Sequence, residues 1–244
     1  MVYLFDIDIN TAVDIIRDSK ISQVHIVKDP NKLKPKDTDT TIFYNFHFRK
    51  VLRTLSGNVY PNKKMSELCE DRIDQLQILD KVTKYPSEKE IHKKVSGKYF
   101  LKPDKIYKVG NEHQGNNKYT FPETKSIKIY HENLIIEEFI TGRSIRVLFI
   151  GNEMFFVEQV SRHKIKNIEP EEYLIKPIKK LEKDALIIKK FLDDNGYISP
   201  TIGLDYVYSD SKIIFLELND MCGIPNQLQK IFKKELQRIV DESL

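Results

Sequence analysis

The stretch from Gly203 to Asp220, GLDYVYSDSKIIFLELND, puts acids where a strand should be apolar. Two β-rich runs flank the polar tetrapeptide Ser209-Asp210-Ser211-Lys212, a pattern that predicts a β-hairpin. With the turn centred on Ser211, Asp205 lies opposite Glu217. Side chains alternate across a strand, so Glu217 and Asn219 share a face. Directly opposed like charges destabilise a sheet pair. A divalent cation would offset that repulsion, and two carboxylates with an amide suit a hard ion such as Mg²⁺. No His or Cys accompanies them, which argues against zinc. The alternative is a hairpin face whose acids point to water.

Two further segments carry chemistry. Tyr99-Phe100-Leu101-Lys102-Pro103 ends an apolar strand in a lysine, beside a polar segment rich in Gly and Asn. A strand-end lysine near flexible backbone amides suits a phosphate; the plainer reading is an edge lysine reaching water along its apolar stem. In Ile135–Arg146 an apolar strand ends in Glu137 and Glu138, turns at Gly142 and starts again. Extended backbone there can read the edge of an adenine ring, or the segment is a hairpin with charged rungs.

These residues need elements to hold them. Strands expected at Val2–Asp6, Gln23–Val27 and Thr40–Tyr44 alternate with helices over Thr11–Ser19 and Phe46–Leu55, which implies a small parallel α/β sheet. One helix is expected over Ser66–Leu79, with Leu68, Ile73, Leu76 and Leu79 buried. Ser87 and Glu90 form a capping-box pattern for a short helix to Val95, ended by Gly97. A mobile loop is expected over Asp104–Thr120, between strands at Tyr99–Lys102 and Ser126–Tyr130. Strands follow at Leu134–Phe139, Ile145–Ile150 and Met154–Val160, then a helix over Ile178–Asn195 closed by Gly196. Pro225 opens a terminal amphipathic helix. The boundaries divide the chain into 1–85, 86–136 and 137–244.

The 244 residues suffice for a core without staples. Apolar residues at 40% and charged residues at 31% describe a globular chain rather than a disordered one. Cys69 and Cys222 are the only cysteines, far apart, so no disulfide framework or zinc signature arises and a reducing compartment is expected. No apolar run is long enough for a membrane span. The opening MVYLFDID has no basic leader and predicts no signal peptide. The net charge of +4 is too small to argue for nucleic acid. Ten lysines and six acids between residues 86 and 136 account for all of it. That segment is either a solvated surface or a lobe facing phosphates.

In order, FLKP, IIEEFITGRSIRV, GLDYV and FLELND resemble the ATP-grasp superfamily, most closely its RimK-like and glutathione-synthetase-like branch. The segment from Glu70 to Pro86 is similar to the helix leading into that family's nucleotide region, with Asp71-Arg72 at its Asp-Lys pair. The resemblance implies an α/β fold: a small N-terminal parallel subdomain, a central lobe and a C-terminal antiparallel lobe. It implies that Arg72 and Lys102 contact the phosphates of ATP, and that Glu137, Glu138, Phe139 and Ile140 read adenine. Asp205, Glu217 and Asn219 match the Mg²⁺ ligands, for one or two ions, with Mn²⁺ admitted in their place. Arg146 matches an arginine in the GxDxR-like turn of the RimK branch and Arg162 a substrate-side arginine, and one or the other would stabilise an oxyanion.

The implied reaction activates a carboxylate as an acyl-phosphate and passes it to an amine, in the cytoplasm. The carboxylate would belong to an amino acid, a peptide or a protein tail. The loop over Asp104–Thr120 would close over ATP and exclude water. The resemblance allows a homo-oligomer; neither a membrane nor nucleic acid is expected as a partner. Ser144 replaces the family's ribose-binding acid, and the loop Val109–Asn117 has only Gly110 and Gly115. Beyond Arg162 there is Asn167 but no glycine pair. These departures leave open a kinase on the same fold and a nucleotide-binding module without catalysis.

Overall fold

A computed structural model describes residues 2–5, 24–27, 41–43, 58–70, 72–87, 89–101, 105–109, 118–120, 125–138, 141–160, 171–209 and 211–242. The β-rich runs near the start form β1 (Val2–Phe5), β2 (Val24–Val27), β3 (Thr41–Phe43) and β4 (Asn58–Tyr60). All pair in parallel, in the order β2-β1-β3-β4. Parallel neighbours require crossover connections. The helices expected over Thr11–Ser19 and Phe46–Leu55 fall on two of these and lie outside the described residues.

The helix expected over Ser66–Leu79 is two helices, α1 (Lys63–Glu70) and α2 (Arg72–Leu79). Met65, Leu68 and Cys69 of α1 and Leu79 of α2 join the main core, whereas Ile73 and Leu76 pack on Ile135.

A second sheet contains β5 (Glu90–Leu101), β6 (Lys105–Val109), β7 (Lys118–Thr120) and β8 (Lys125–Glu138), antiparallel in the order β5-β8-β6-β7. Here the sequence reading is corrected. The capping-box pattern at Ser87 and Glu90 does not start a helix; the chain from Glu90 to Leu101 is one strand, registered from Glu90↔Ile136 to Leu101↔Lys125. Pairing along that length outweighs a local capping signal. The strands expected at Ser126–Tyr130 and Leu134–Phe139 are likewise one strand, β8. Part of the loop expected over Asp104–Thr120 is β6 and β7; residues 110–117 lie outside the described residues.

The third sheet is antiparallel and runs β11-β10-β9-β12-β13. Its strands are β9 (Arg143–Ile150), β10 (Glu153–Val160), β11 (Glu171–Ile175), β12 (Thr201–Tyr208) and β13 (Ile213–Asp220). The short edge strand β11 was not anticipated. One face sets Ile145, Val147, Phe149, Leu204, Tyr206, Phe215 and Leu218 against α1 and α3 (Lys179–Asp194), which contributes Leu181, Ala185, Ile188 and Leu192. The other face sets Leu148, Ile150 and Val157 against Phe232, Leu236, Ile239 and Val240 of α4 (Gln229–Glu242). Pro225 leads into α4 through a 3₁₀ turn, Asn226–Leu228. At Gly151, in the β9–β10 turn, φ is +56° and an added Cβ would lie 2.6 Å from the Glu235 carboxylate. That glycine lets α4 sit close to the sheet. No helix among the described residues is long and apolar enough to cross a membrane.

Candidate active site

The α4 face of the third sheet is apolar at one end and polar at the other. Register fixes which residues share the polar end. Asp205 of β12 pairs with Arg146 of β9 on one side and Glu217 of β13 on the other. Gly203 pairs with Asn219, two residues along. On the far side Ser144 pairs with Gln159, and Gln159 with Glu172. Cross-strand partners point to the same face, so Glu217, Asn219, Asp205, Arg146, Ser144, Gln159 and Glu172 form one polar row.

The Asp205–Glu217 pairing is the one read from the sequence, but it arises differently. The turn at 209–212 sets Tyr208 opposite Ile213 and Tyr206 opposite Phe215. The register then slips by one, so Leu216 has no opposite number and Asp205 meets Glu217. This bulge sends Phe215 and Leu218 to the same buried core while Glu217 faces the other way. A regular strand would put Phe215 and Glu217 on one face.

The open edge of β13 is closed by the segment before β5. The Gln75 side chain accepts from Leu218 N at 3.0 Å and donates to Leu218 O at 2.9 Å, as another strand would. Phe215 N donates to Tyr85 O at 2.8 Å. Lys89 Nζ donates to the carbonyl of the bulged Leu216 at 3.0 Å. Behind the row, the Tyr206 hydroxyl donates to Asp184 Oδ2 at 3.0 Å. Burial, followed by the charge of Asp184, pushes the Tyr206 hydroxyl well above its ordinary pKa, so it stays a donor.

Arg146 lies at the centre. Its Nε and Nη2 donate to Asp205 Oδ1 and Oδ2 at 2.7 and 3.0 Å, a two-pronged pair. Its Nη1 lies 3.6 Å from Glu172 Oε1. Burial opposes the guanidinium's charge, but the contact with Asp205 outweighs it and raises the pKa. Asn219 Nδ2 donates to Asp205 Oδ2 at 3.0 Å. Burial, opposed by Arg146, pushes the Cys222 thiol up to about 11.

Gly203 is the floor under this arrangement. A Cβ there would lie 3.0 Å from Cys222 Sγ and 3.2 Å from both Cδ and Nε of Arg146. Gly203→Ala is expected to push the guanidinium off Asp205 and to cost about 1–3 kcal/mol of stability, as overpacking does. Urea unfolding checks the cost.

The structure therefore brings together Arg146, Asp205, Glu217 and Asn219. Glu137 and Glu138 end β8, where they pair with Ile106 and Lys105. Arg72 opens α2, but its side chain lies outside what the structure describes. Lys102, Phe139, Ile140 and Arg162 lie outside the described residues. Ser144, expected to replace a ribose-binding acid, donates to Gln159 Oε1 at 3.4 Å.

The donors pass a chemical test for a hard divalent ion. A carboxylate has about four lone-pair sites, and Arg146 and Asn219 use three on Asp205. The row sets Asp205, Glu217 and the Asn219 amide on one face, oxygen donors of the kind a hard divalent ion takes. Among the described residues no three His, Cys, Asp or Glu side chains gather into a metal-binding group, so any ion here would use an amide beside two carboxylates.

No protein-family model matches the sequence, and no curated protein matches it. Solved structures do. D-alanine–D-alanine ligase from Bacillus anthracis complexed with ATP matches over 99% of this chain and 95% of its own, with a TM-score of 0.63 at 13% identity. The ATP-grasp ligase PsnB, complexed with minimal precursor, Mg and ADP, matches over 99% and 96%, with a TM-score of 0.58 at 11% identity. The macrocyclase MdnC bound with precursor peptide MdnA, from Microcystis aeruginosa MRC, matches over 100% of both chains, with a TM-score of 0.59 at 10% identity. The chain has the ATP-grasp fold.

Proposed function

We propose that this protein is an ATP-dependent ligase that joins a carboxylate to an amine through an acyl-phosphate. The observation that carries the reading is the polar row at one end of the third sheet, with Asp205, Glu217 and Asn219 on one face around Arg146. The fold supports it, as do the matched structures holding ATP, or Mg and ADP. The matched ligase of D-alanine and the peptide-bound macrocyclase make an amino acid or a peptide the favoured substrate.

In this reading Asp205, Glu217 and Asn219 hold Mg²⁺, which supplies charge neutralisation on the transferring phosphoryl group. Arg72 and Lys102 bind nucleotide phosphates. Glu137, Glu138, Phe139 and Ile140 read adenine from the end of β8. Arg146 or Arg162 faces the reacting carboxyl group.

Calorimetric titration with ADP is the direct test. MgCl₂ is expected to tighten ADP binding at least about tenfold, and EDTA to undo it; equal affinity in both would overturn the metal assignment. Hydroxylamine added to a turnover reaction with candidate amino acids is expected to give hydroxamates, since acyl-phosphates react with it. ADP formed with a stable phosphorylated product instead would make the chain a kinase.

A further inference from the structure

The polar row contains one carboxylate to which the proposed reaction gives no part. Glu172 sits on the edge strand β11, with its Oε1 held at 3.1 Å by Gln159 Nε2. Gln159 is in turn fixed by Ser144. The same Oε1 is 3.6 Å from Arg146 Nη1, about 0.7 Å beyond an ordinary N–H···O length. Arg146 thus stands between two anions, bonded to Asp205 and set just short of Glu172.

Packing restricts where the guanidinium can go. Its stem crosses Gly203, with only 3.2 Å to the position of an added Cβ. Its side chain is only 13% exposed, so it cannot be left buried without a partner. A divalent ion drawing on Asp205 would compete with Arg146 for the same two oxygens. A displacement of under about 1 Å along the row would close the contact with Glu172 to hydrogen-bond length.

The geometry points to Glu172 as a positioning residue: it receives Arg146 when a divalent cation takes up Asp205. The inference rests on the proposed assignment of Asp205 and Glu217 to the ion. It makes Glu172 act on the ion only through Arg146, and it makes Arg146 a competitor of the ion.

The test is a double-mutant cycle on the full chain, with Mn²⁺ alone as the probe and electron paramagnetic resonance as the readout. Glu172→Gln is expected to weaken Mn²⁺ binding about tenfold, the coupling typical of charges in contact. Arg146→Met is expected to bind Mn²⁺ more tightly than wild type. Adding Glu172→Gln to Arg146→Met is expected to change nothing further. Equal losses from Glu172→Gln in both backgrounds would mean a direct effect on the ion and would overturn the inference. So would weaker binding by Arg146→Met with its fold intact by circular dichroism.

If Arg146→Met does not fold, Glu172→Asp replaces it. That variant keeps the charge but shortens the reach, and is expected to lose affinity as Glu172→Gln does; wild-type affinity would overturn the inference. Mn²⁺ affinity untouched by Glu217→Gln would instead overturn the metal reading itself.

Discussion

Glu217→Gln is expected to cut magnesium-dependent ATP turnover at least about tenfold while leaving the fold as stable as before or more so. The size follows from ion sites, where loss of a supporting group alone costs about 10–100-fold; a ligand should cost no less. The sign on stability follows from the ladder. Glu217 stands directly opposite Asp205, and like charges so placed work against a sheet by roughly 0.2–1 kcal/mol. Glutamine keeps the length and removes the charge. Its neighbour Leu218 stays in the core. Thermal denaturation in EDTA and ADP release against Mg²⁺ concentration check the two halves. A variant that turned over normally would remove Glu217 from the site.

Asp184→Ala carries the largest expected loss of stability, about 3–5 kcal/mol. Asp184 is fully buried in α3 and accepts from three neutral donors. Thr83 Oγ1 lies at 2.7 Å and the Lys84 amide at 2.6 Å, both in the segment leading to β5. The Tyr206 hydroxyl lies at 3.0 Å, on the strand that carries Asp205. Alanine would leave all three facing a void, and each orphaned buried donor costs about 1–3 kcal/mol. Tyr206→Phe removes one donor and leaves the carboxylate two, so about 1 kcal/mol is expected. Urea unfolding of both variants gives the comparison; equal midpoints would show that the network carries no such weight.

How much of this was legible in the sequence depends on the range of the forces involved. The acid hairpin was readable because its signals are local: a polar tetrapeptide between β-rich runs, and Glu217 and Asn219 at alternating positions. Even there a regular ladder gave the correct partner for Asp205 by a different route. The strand count from Ser211 ignores the bulge at Leu216, and would have placed Phe215 on the wrong face. The parallel β1–β3 sheet and α3 were readable for the same reason, each being periodic over its own length.

What failed was set by distant partners. Glu90–Leu101 has a capping pattern and lysines, but β8 makes it a strand. Gln75 looks like any polar helix residue, and only the approach of β13 makes its amide a substitute strand. Glu172 follows a charged neighbour in a short segment, and nothing nearby announces that its carboxylate meets Arg146. The signal that could have found it is the run Glu171-Glu172-Tyr173-Leu174-Ile175, which has the composition of a short edge strand.

The carbonyl that the bulge turns out of the ladder is grasped by Lys89, one residue before the start of β5. The backbone bond next to Glu217 is therefore tethered to the opposite sheet. Any tilt of that sheet toward a bound nucleotide would pull on the peptide unit carrying the candidate ligand, so the two lobes are wired mechanically as well as through whatever they enclose.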